Sequence, residues 1–309
     1  MRILLLGANG QVGFELQRAL APLGELALAT RSGRLPGGAA CLRADLADAA
    51  ELAALLEAER PQLLVNAAAY TAVDRAEDEE ALAARINGEA VGEMAGWCAA
   101  QGARLVHFST DYVFDGSATV PYAESAPTAP LGAYGRSKLL GEQRIRNSGA
   151  QHLILRTAWV YGARGGNFLR TMLRLAGERE ELGIVDDQTG APTSARLIAA
   201  ATAAAVARNG ATAASGPTGT YHLSAAGECT WYGFAQAIFE SAVAAGLLQG
   251  VPRLRALSSS EFKTRARRPR YSRLACDRFC TDFSQRLPDW REGLRDVIGE
   301  LAAHATAPR

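Results

Sequence analysis

The chain is poor in metal-binding side chains: four histidines, five scattered cysteines and no Cys-x-x-Cys pair. That argues against zinc, and Cys41, Cys98, Cys229, Cys276 and Cys280 read as reduced thiols. An excess of either charge is also missing. With 33 basic residues against 32 acidic ones the net charge is +1, which gives no pull towards nucleic acid or anionic membrane. Lysine is nearly absent: Lys138 and Lys263 are the two lysines among those 33 basic residues. So strong a preference for arginine reads as compositional bias rather than as a phosphate-binding surface. No apolar run approaches the roughly 18 residues of a membrane span. The N-terminus has no basic leader and opens directly into the apolar segment Arg2-Ile-Leu-Leu-Leu6. No internal repeat is visible. These absences leave a cytoplasmic globular protein, long enough at 309 residues for a large core.

What is present is an alternation of short apolar runs with amphipathic stretches, the mark of a parallel sheet wrapped by helices. The runs Ile3–Leu6, Leu26–Ala29, Leu63–Asn66, Leu105–Ser109 and Leu153–Thr157 predict strands. Several are apolar at consecutive positions, as strands covered on both faces are. Helical patterns lie at Val12–Leu23, Ala49–Glu59, Glu79–Ala100 and Tyr134–Arg146, with Pro61 and Pro130 in the turns. After Thr157 the chain becomes rich in Gly and Arg. Helices are expected around Phe168–Ala176, over Ala195–Ala207, over Trp231–Ala245 with Thr230 as N-cap, and near Glu292–Ala303. A strand is expected at Tyr221–Leu223 and a surface loop over Ala211–Gly219. The fold class is α/β: a Rossmann-like doubly wound parallel sheet with a smaller, partly interleaved substrate domain. The expected division is residues 1–164, with 188–222, for the nucleotide, and residues 165–187 and 223–309 for the substrate.

The segment Gly7-Ala-Asn-Gly10-Gln-Val-Gly13 links the first strand to the first helix. Missing side chains there let backbone amides approach a pyrophosphate at the helix N-terminus, where the dipole favours negative charge. Gly7, Gly10, Gln11, Val12 and Gly13 are therefore candidate cofactor contacts. The Gly-x-x-Gly-x-x-Gly spacing resembles that of the short-chain dehydrogenase/reductase superfamily. After the second strand the chain reads Ala29-Thr-Arg31-Ser, with no acid to hold a ribose 2′-hydroxyl. Arg31 instead suits a 2′-phosphate, so NADPH is expected ahead of NADH. Asp45-Leu46 stands where that superfamily places an acid near the adenine. The small residues of Asn66-Ala67-Ala68-Ala69-Tyr70-Thr71 allow the backbone to lie beside a cofactor.

The fourth predicted strand ends in Ser109-Thr110-Asp111-Tyr112, at the carboxyl edge where open α/β sheets bind ligands. A threonine at that place also commonly caps a turn. Tyr134 and Lys138 follow, four apart and so on one helix face. Together the three groups make an acid system for a carbonyl. Thr110 bonds the oxygen, Tyr134 donates a proton, and Lys138 lowers the tyrosine pKa and binds the nicotinamide ribose. Hydride is the cofactor's contribution.

These pieces, with Asn66-Ala-Ala-Ala-Tyr-Thr-Ala-Val-Asp74, Ser109-Thr-Asp-Tyr-Val-Phe-Asp-Gly116, Leu155-Arg-Thr-Ala-Trp-Val-Tyr-Gly162 and Asp187-Gln-Thr-Gly-Ala-Pro-Thr193, resemble the dTDP-4-dehydrorhamnose reductases. The similarity extends to about Trp290. It implies reduction of the C4 ketone of dTDP-4-dehydro-6-deoxy-L-mannose to dTDP-L-rhamnose, with NADPH or NADH. It also implies that Tyr134 is the proton donor, that Lys138 is its partner and a cofactor ligand, and that Thr110, Asp111 and Trp159 contact the sugar. Gly10, Gln11, Val12, Asp45, Leu46, Ala69 and Thr71 map to cofactor contacts.

Some relatives use surface glutamates for magnesium-linked dimerisation. Glu15 and Glu292 are present, but Arg196 follows Pro192-Thr-Ser-Ala. A cation there repels Mg²⁺, so no metal site is expected, and the chain is expected to be a monomer or homodimer. The basic stretch Arg265–Arg273 can meet a diphosphate or simply be solvated. Two rivals remain. One is an NDP-sugar 4-epimerase or dehydratase of the same superfamily, although Tyr112 stands where a dehydratase places its second carboxylate. The other is a non-catalytic regulatory subunit resembling that of methionine adenosyltransferase.

Overall fold

The computed structural model describes residues 1–208 and 216–306. Among them a parallel sheet of seven strands forms the centre. Six strands come from the first half: β1 (Arg2–Leu6), β2 (Glu25–Thr30), β3 (Leu42–Arg43), β4 (Leu63–Asn66), β5 (Arg104–Thr110) and β6 (Gln151–Thr157). The strand Gly219–His222 joins outside β6, so the order is Gly219–His222, β6, β5, β4, β1, β2, β3. The chain builds outward from β1 through β2 to β3, then returns to β1's other side with β4. That reversal opens a crevice at the carboxyl ends of β1 and β4.

The consecutive leucines of β1 follow from cover on both faces. Ile3 and Leu5 join Leu16, Leu20, Ile198 and Phe279 on one side. Leu4 and Leu6 join Leu52, Leu56, Val91 and Met94 on the other. A second core lies beyond the sheet, where Leu169 and Met172 meet Phe234, Ile238, Trp290 and Leu294. These come from the helices Phe168–Ala176, Trp231–Ala244 and Trp290–Thr306. A parallel pair, Glu181–Val185 with Arg253–Leu257, packs beside them.

Predicted and observed elements agree closely at the capped helices. Ala49–Glu59 starts at Asp48, whose carboxylate accepts the amides of Ala50 and Glu51. Thr230 accepts from Gly233 N at 3.0 Å, as expected of an N-cap. Differences arise where local pattern is weak. The strand expected at Tyr221–Leu223 is Gly219–His222, because pairing with β6 sets its limits. The edge strand β3 is only two residues long, too short for a periodic signal. The helix expected over Glu79–Ala100 is Glu80–Ala84, a π-turn at Arg85–Glu89, and Ala90–Gln101. The helix Asp277–Phe283 went unpredicted; Phe279 and Phe283 pack with Tyr221 beneath the main sheet. Of the loop expected over Ala211–Gly219, residues 211–215 lie outside those described. Among the described residues no helix is long and apolar enough to cross a membrane.

Candidate functional site

The crevice is lined on one side by backbone. Gly7 ends β1 at φ +76°, and a Cβ there would sit 2.6 Å from Ala68 N. A Cβ at Gly13 would sit 2.0 Å from Gly7 O. Neither position can take a side chain, and so the turn, the helix Gln11–Leu20 and the end of β4 draw together. Gly10 caps that helix without a side-chain hydrogen bond, leaving the first-turn amides of Gln11, Val12 and Gly13 for an anion. Gln11 reaches the loop above, accepting from Asn167 Nδ2 at 2.9 Å. Arg31 is exposed just beyond β2. Past β3, Asp45 accepts from Ala47 N at 3.0 Å and Leu46 is buried. Ala67, Ala69, Tyr70 and Thr71 continue from β4, and Asn87 pins them: Tyr70 N donates to Asn87 Oδ1 at 2.8 Å and Asn87 Nδ2 donates to Tyr70 O at 2.9 Å. A narrow backbone cradle at a helix N-terminus, with a cation beyond the second strand, fits a phosphorylated dinucleotide.

The other side of the crevice is built from side chains. Thr110 ends β5 and does cap a turn, accepting from Tyr112 N at 3.1 Å. Its hydroxyl donates to Asp111 Oδ1 at 3.0 Å and lies near the Tyr134 phenol. Tyr134 and Lys138 sit on the helix Ala133–Asn147, whose first amide donates to Glu77 Oε1 at 2.8 Å. Ser137, between them, donates to Tyr134 O at 2.8 Å and accepts from Asn87 Nδ2 at 3.0 Å. Thr110, Asp111, Tyr134 and Lys138 are thus gathered at the end of β5.

One expected relation is different. Lys138 is 1% exposed, and its stem carries Nζ to β5, where it donates to Phe108 O at 2.6 Å. Nζ also lies 3.1 Å from His107 Nε2. It does not hydrogen-bond Tyr134. Burial pushes Lys138 down to about 7, with Glu142 opposing. Burial pushes Tyr134 up to about 12; the Thr110 contact opposes the rise and Asp111 adds to it. Tyr134 therefore keeps its proton at neutral pH. Burial also lifts Asp111 to about 6, against the hydroxyls of Ser272 and Thr110.

Several participants had no sequence signal. His107 and Asn87 lie inside apolar and helical runs, and their partners are distant in sequence. Trp159, the expected sugar contact, has φ +48°, a strained conformation for a bulky residue. Its ring stacks on Trp231 at 3.5 Å with planes 3° apart, and Phe168 follows. Trp231 and Phe168 line a cleft of about 1110 Å³ with Phe262, Gln188, Lys263 and Arg267. The lining of this cleft stops short of Thr110 and Tyr134. Arg268, on the cleft lining, binds Asp74 Oδ2 at 2.7 Å and lies near Tyr112. In the basic stretch Arg265, Arg268 and Arg270 are paired with Asp78, Asp74 and Asp187.

Among the described residues no group of three or more His, Cys, Asp or Glu is placed to hold a metal. Arg196 pairs with Glu300 and lies 3.8 Å from Glu15.

Comparison with known proteins places these features in context. The profile of the RmlD substrate binding domain family matches residues 1–303. The dTDP-4-dehydrorhamnose reductase of Burkholderia thailandensis is 48% identical over 305 residues, covering 97% of this chain and 99% of the relative. That of Escherichia coli K12 is 46% identical over 304 residues, covering 97% and 98%. The crystal structure of dTDP-4-dehydrorhamnose reductase from Bacillus anthracis in complex with NADP superposes with a TM-score of 0.84. It is 34% identical and covers 97% of this chain and 99% of that one.

Proposed function

The chain belongs to the RmlD substrate binding domain family, and from that premise we infer that it is a dTDP-4-dehydrorhamnose reductase. It reduces the C4 ketone of dTDP-4-dehydrorhamnose to dTDP-L-rhamnose with NADPH. The chemistry NADPH supplies when bound is the hydride delivered to C4. The observation that best supports the reading is the gathering of Thr110, Asp111 and Tyr134 at the end of β5, with Lys138 buried one turn further along the helix.

The first-turn amides at Gln11, Val12 and Gly13 hold the pyrophosphate, and Arg31 holds the 2′-phosphate. Asp45 and Leu46 flank the adenine. Ala67, Ala69, Tyr70 and Thr71 lie along the cofactor, and Lys138 binds its nicotinamide ribose. Thr110 orients the ketone oxygen, and Tyr134, protonated up to about pH 12, gives it the proton as alkoxide charge develops. Asp111 and Trp159 fix the sugar. Lys263 and Arg267, cations on the cleft wall, face the diphosphate. Tyr112 follows Asp111, leaving no second carboxylate for a dehydratase. The enzyme works in the cytoplasm as a monomer or homodimer.

The test is to follow NADPH oxidation with dTDP-4-dehydrorhamnose as substrate. Tyr134→Phe is expected to lose turnover by about 10²- to 10⁴-fold while still binding NADPH. Near-normal turnover in that variant sinks the acid role. Tightly held, non-exchanging NAD in the purified protein points instead to an epimerase.

A further inference from the structure

Lys138 has an unusual neighbour in His107, which is fully buried on β5. The pair is read most surely from its far end. Asn66, the last residue of β4, accepts the amide of Ala68 at Oδ1, 3.1 Å away. Only an oxygen can accept that N–H, so the carboxamide orientation is fixed and Nδ2 faces His107 Nδ1 at 3.1 Å. An amide NH₂ is a donor, and Nδ1 must therefore be the accepting, unprotonated nitrogen. A neutral imidazole then carries its proton on Nε2, which points at Lys138 Nζ from 3.1 Å. An ammonium has no lone pair to receive it, but an amine has one. With Nζ as an amine every group is satisfied: Nε2–H donates to Nζ, and Nζ–H donates to the Phe108 carbonyl.

We propose that His107, through this tautomer, is a positioning residue that lets Lys138 give up its proton in the free enzyme, so that on the alkaline side of neutrality cofactor binding takes up one proton at Nζ. The proton comes from solvent, and the new ammonium turns from His107 to the ribose hydroxyls. The inference rests on the reading of Lys138 as a cofactor ligand.

The other charged groups around the pair do not undo this. On its own helix Lys138 faces Glu142, whose carboxylate is already taken by Arg156, Arg146 and Ser109. Among the described residues, the hydrogen-bond partners of Lys138 on β5 are His107 and the Phe108 carbonyl, and that of His107 on β4 is Asn66. Burial holds His107 well below its ordinary pKa, which excludes an imidazolium. The residue type agrees as well. Two lysines occur among 33 basic residues, and one stands here. A guanidinium stays protonated at any physiological pH, whereas a buried amine can give its proton up.

Two measurements test the proposal. Nitrogen NMR of isotopically labelled wild-type protein, with its four histidines assigned by substitution, reads the His107 tautomer directly. A protonated Nε2 is expected throughout the neutral range; a protonated Nδ1 overturns the proposal. The second is the dissociation constant of NADH against pH, NADH having no 2′-phosphate to titrate. It should be flat below about 7 and then weaken by about tenfold per pH unit. Asn66→Asp still accepts from Ala68 but can only accept from His107, forcing the proton onto Nδ1 and offering Nε2 to an ammonium. The break in the NADH profile should then move up by about one pH unit or more. A flat wild-type profile, or a break unmoved by Asn66→Asp, overturns the proposal. If that variant fails to fold, the wild-type tautomer and profile decide. Failure to bind NADH or NADPH at any pH defeats the proposed function instead, and the tautomer still decides the role of His107.

Discussion

The helix Ala133–Asn147 buries two ionisable groups one turn apart and surrounds them in opposite ways. Glu142 meets Arg156 at 2.8 and 2.7 Å, Arg146 at 2.9 Å and Ser109 at 2.6 Å. Burial alone would raise its pKa, but these partners more than offset that and hold the carboxyl below its ordinary range. Lys138 meets one carbonyl and one imidazole, and burial takes it down to about 7. A compensated charge ties the helix to β5 and β6; a group that burial makes ready to give up its charge stands at the crevice. The difference separates scaffold from chemistry, since strongly shifted buried groups cluster where a reaction needs them.

The strongest way to break this comparison is to remove a partner of Glu142. Arg156→Met leaves a buried carboxylate short of its bidentate donor, and should cost about 3–5 kcal/mol of stability by denaturant unfolding. A loss under about 1 kcal/mol would mean the network is not structural. Lys138→Met should behave differently, through pH. The unfolded chain holds the lysine proton up to about 10.5 and the folded one only to about 7. Between those values the unfolded state binds more protons, so this group makes wild-type stability rise with pH. Relative to wild type, Lys138→Met should lose ground by about 1.4 kcal/mol per pH unit across that window, while turnover falls at every pH. A pH-independent difference would show that Lys138 is an ordinary ammonium. Glu142 titrates at the other end. Its folded pKa lies below the unfolded 4.5, so its stabilisation is present above that value and is lost as pH falls through the folded pKa. Glu142→Gln should flatten the acid limb of the stability profile and leave the limb above 7 in place.

How much of this was legible in the sequence follows the same division. β1, β4 and the helix Ala49–Glu59 announce themselves, because apolar runs and an Asp cap are local properties. Gly7 and Gly13 are legible too, since a missing side chain leaves its mark in the sequence itself. Tyr134, Lys138 and Thr110 could be named from spacing and strand position, and the structure gathers them. The direction in which Lys138 points could not be read. It depends on His107, thirty-one positions away, and on the carboxamide of Asn66 behind it. Asn87 escaped for a related reason: a π-turn aims it at Tyr70 and Ser137, and no residue pattern marks that turn within the helix. The strand Gly219–His222 and the helix Asp277–Phe283 take their limits from what they pack against. Residues whose roles are set by long-range partners are the ones a periodic reading passes over.

The finest test of the comparison lies at Ser109, where the two surroundings come closest in sequence. Ser109 precedes Thr110 on β5, yet its hydroxyl points the other way and donates to Glu142 Oε1 at 2.6 Å. Alternation along a strand sends neighbours to opposite faces, so Ser109 belongs with the carboxylate and Thr110 with the crevice. Ser109→Ala removes one hydrogen bond to a charged acceptor that keeps Arg156 and Arg146. The expected loss is about 1.5 kcal/mol in unfolding free energy. Turnover and the pH dependence of NADH binding should be unchanged, because Glu142 stays ionised and Lys138 keeps its partners. A shift of that binding profile in Ser109→Ala would show that Glu142 reaches Lys138 strongly enough to set its proton, and the two buried charges would then have to be treated as one coupled system.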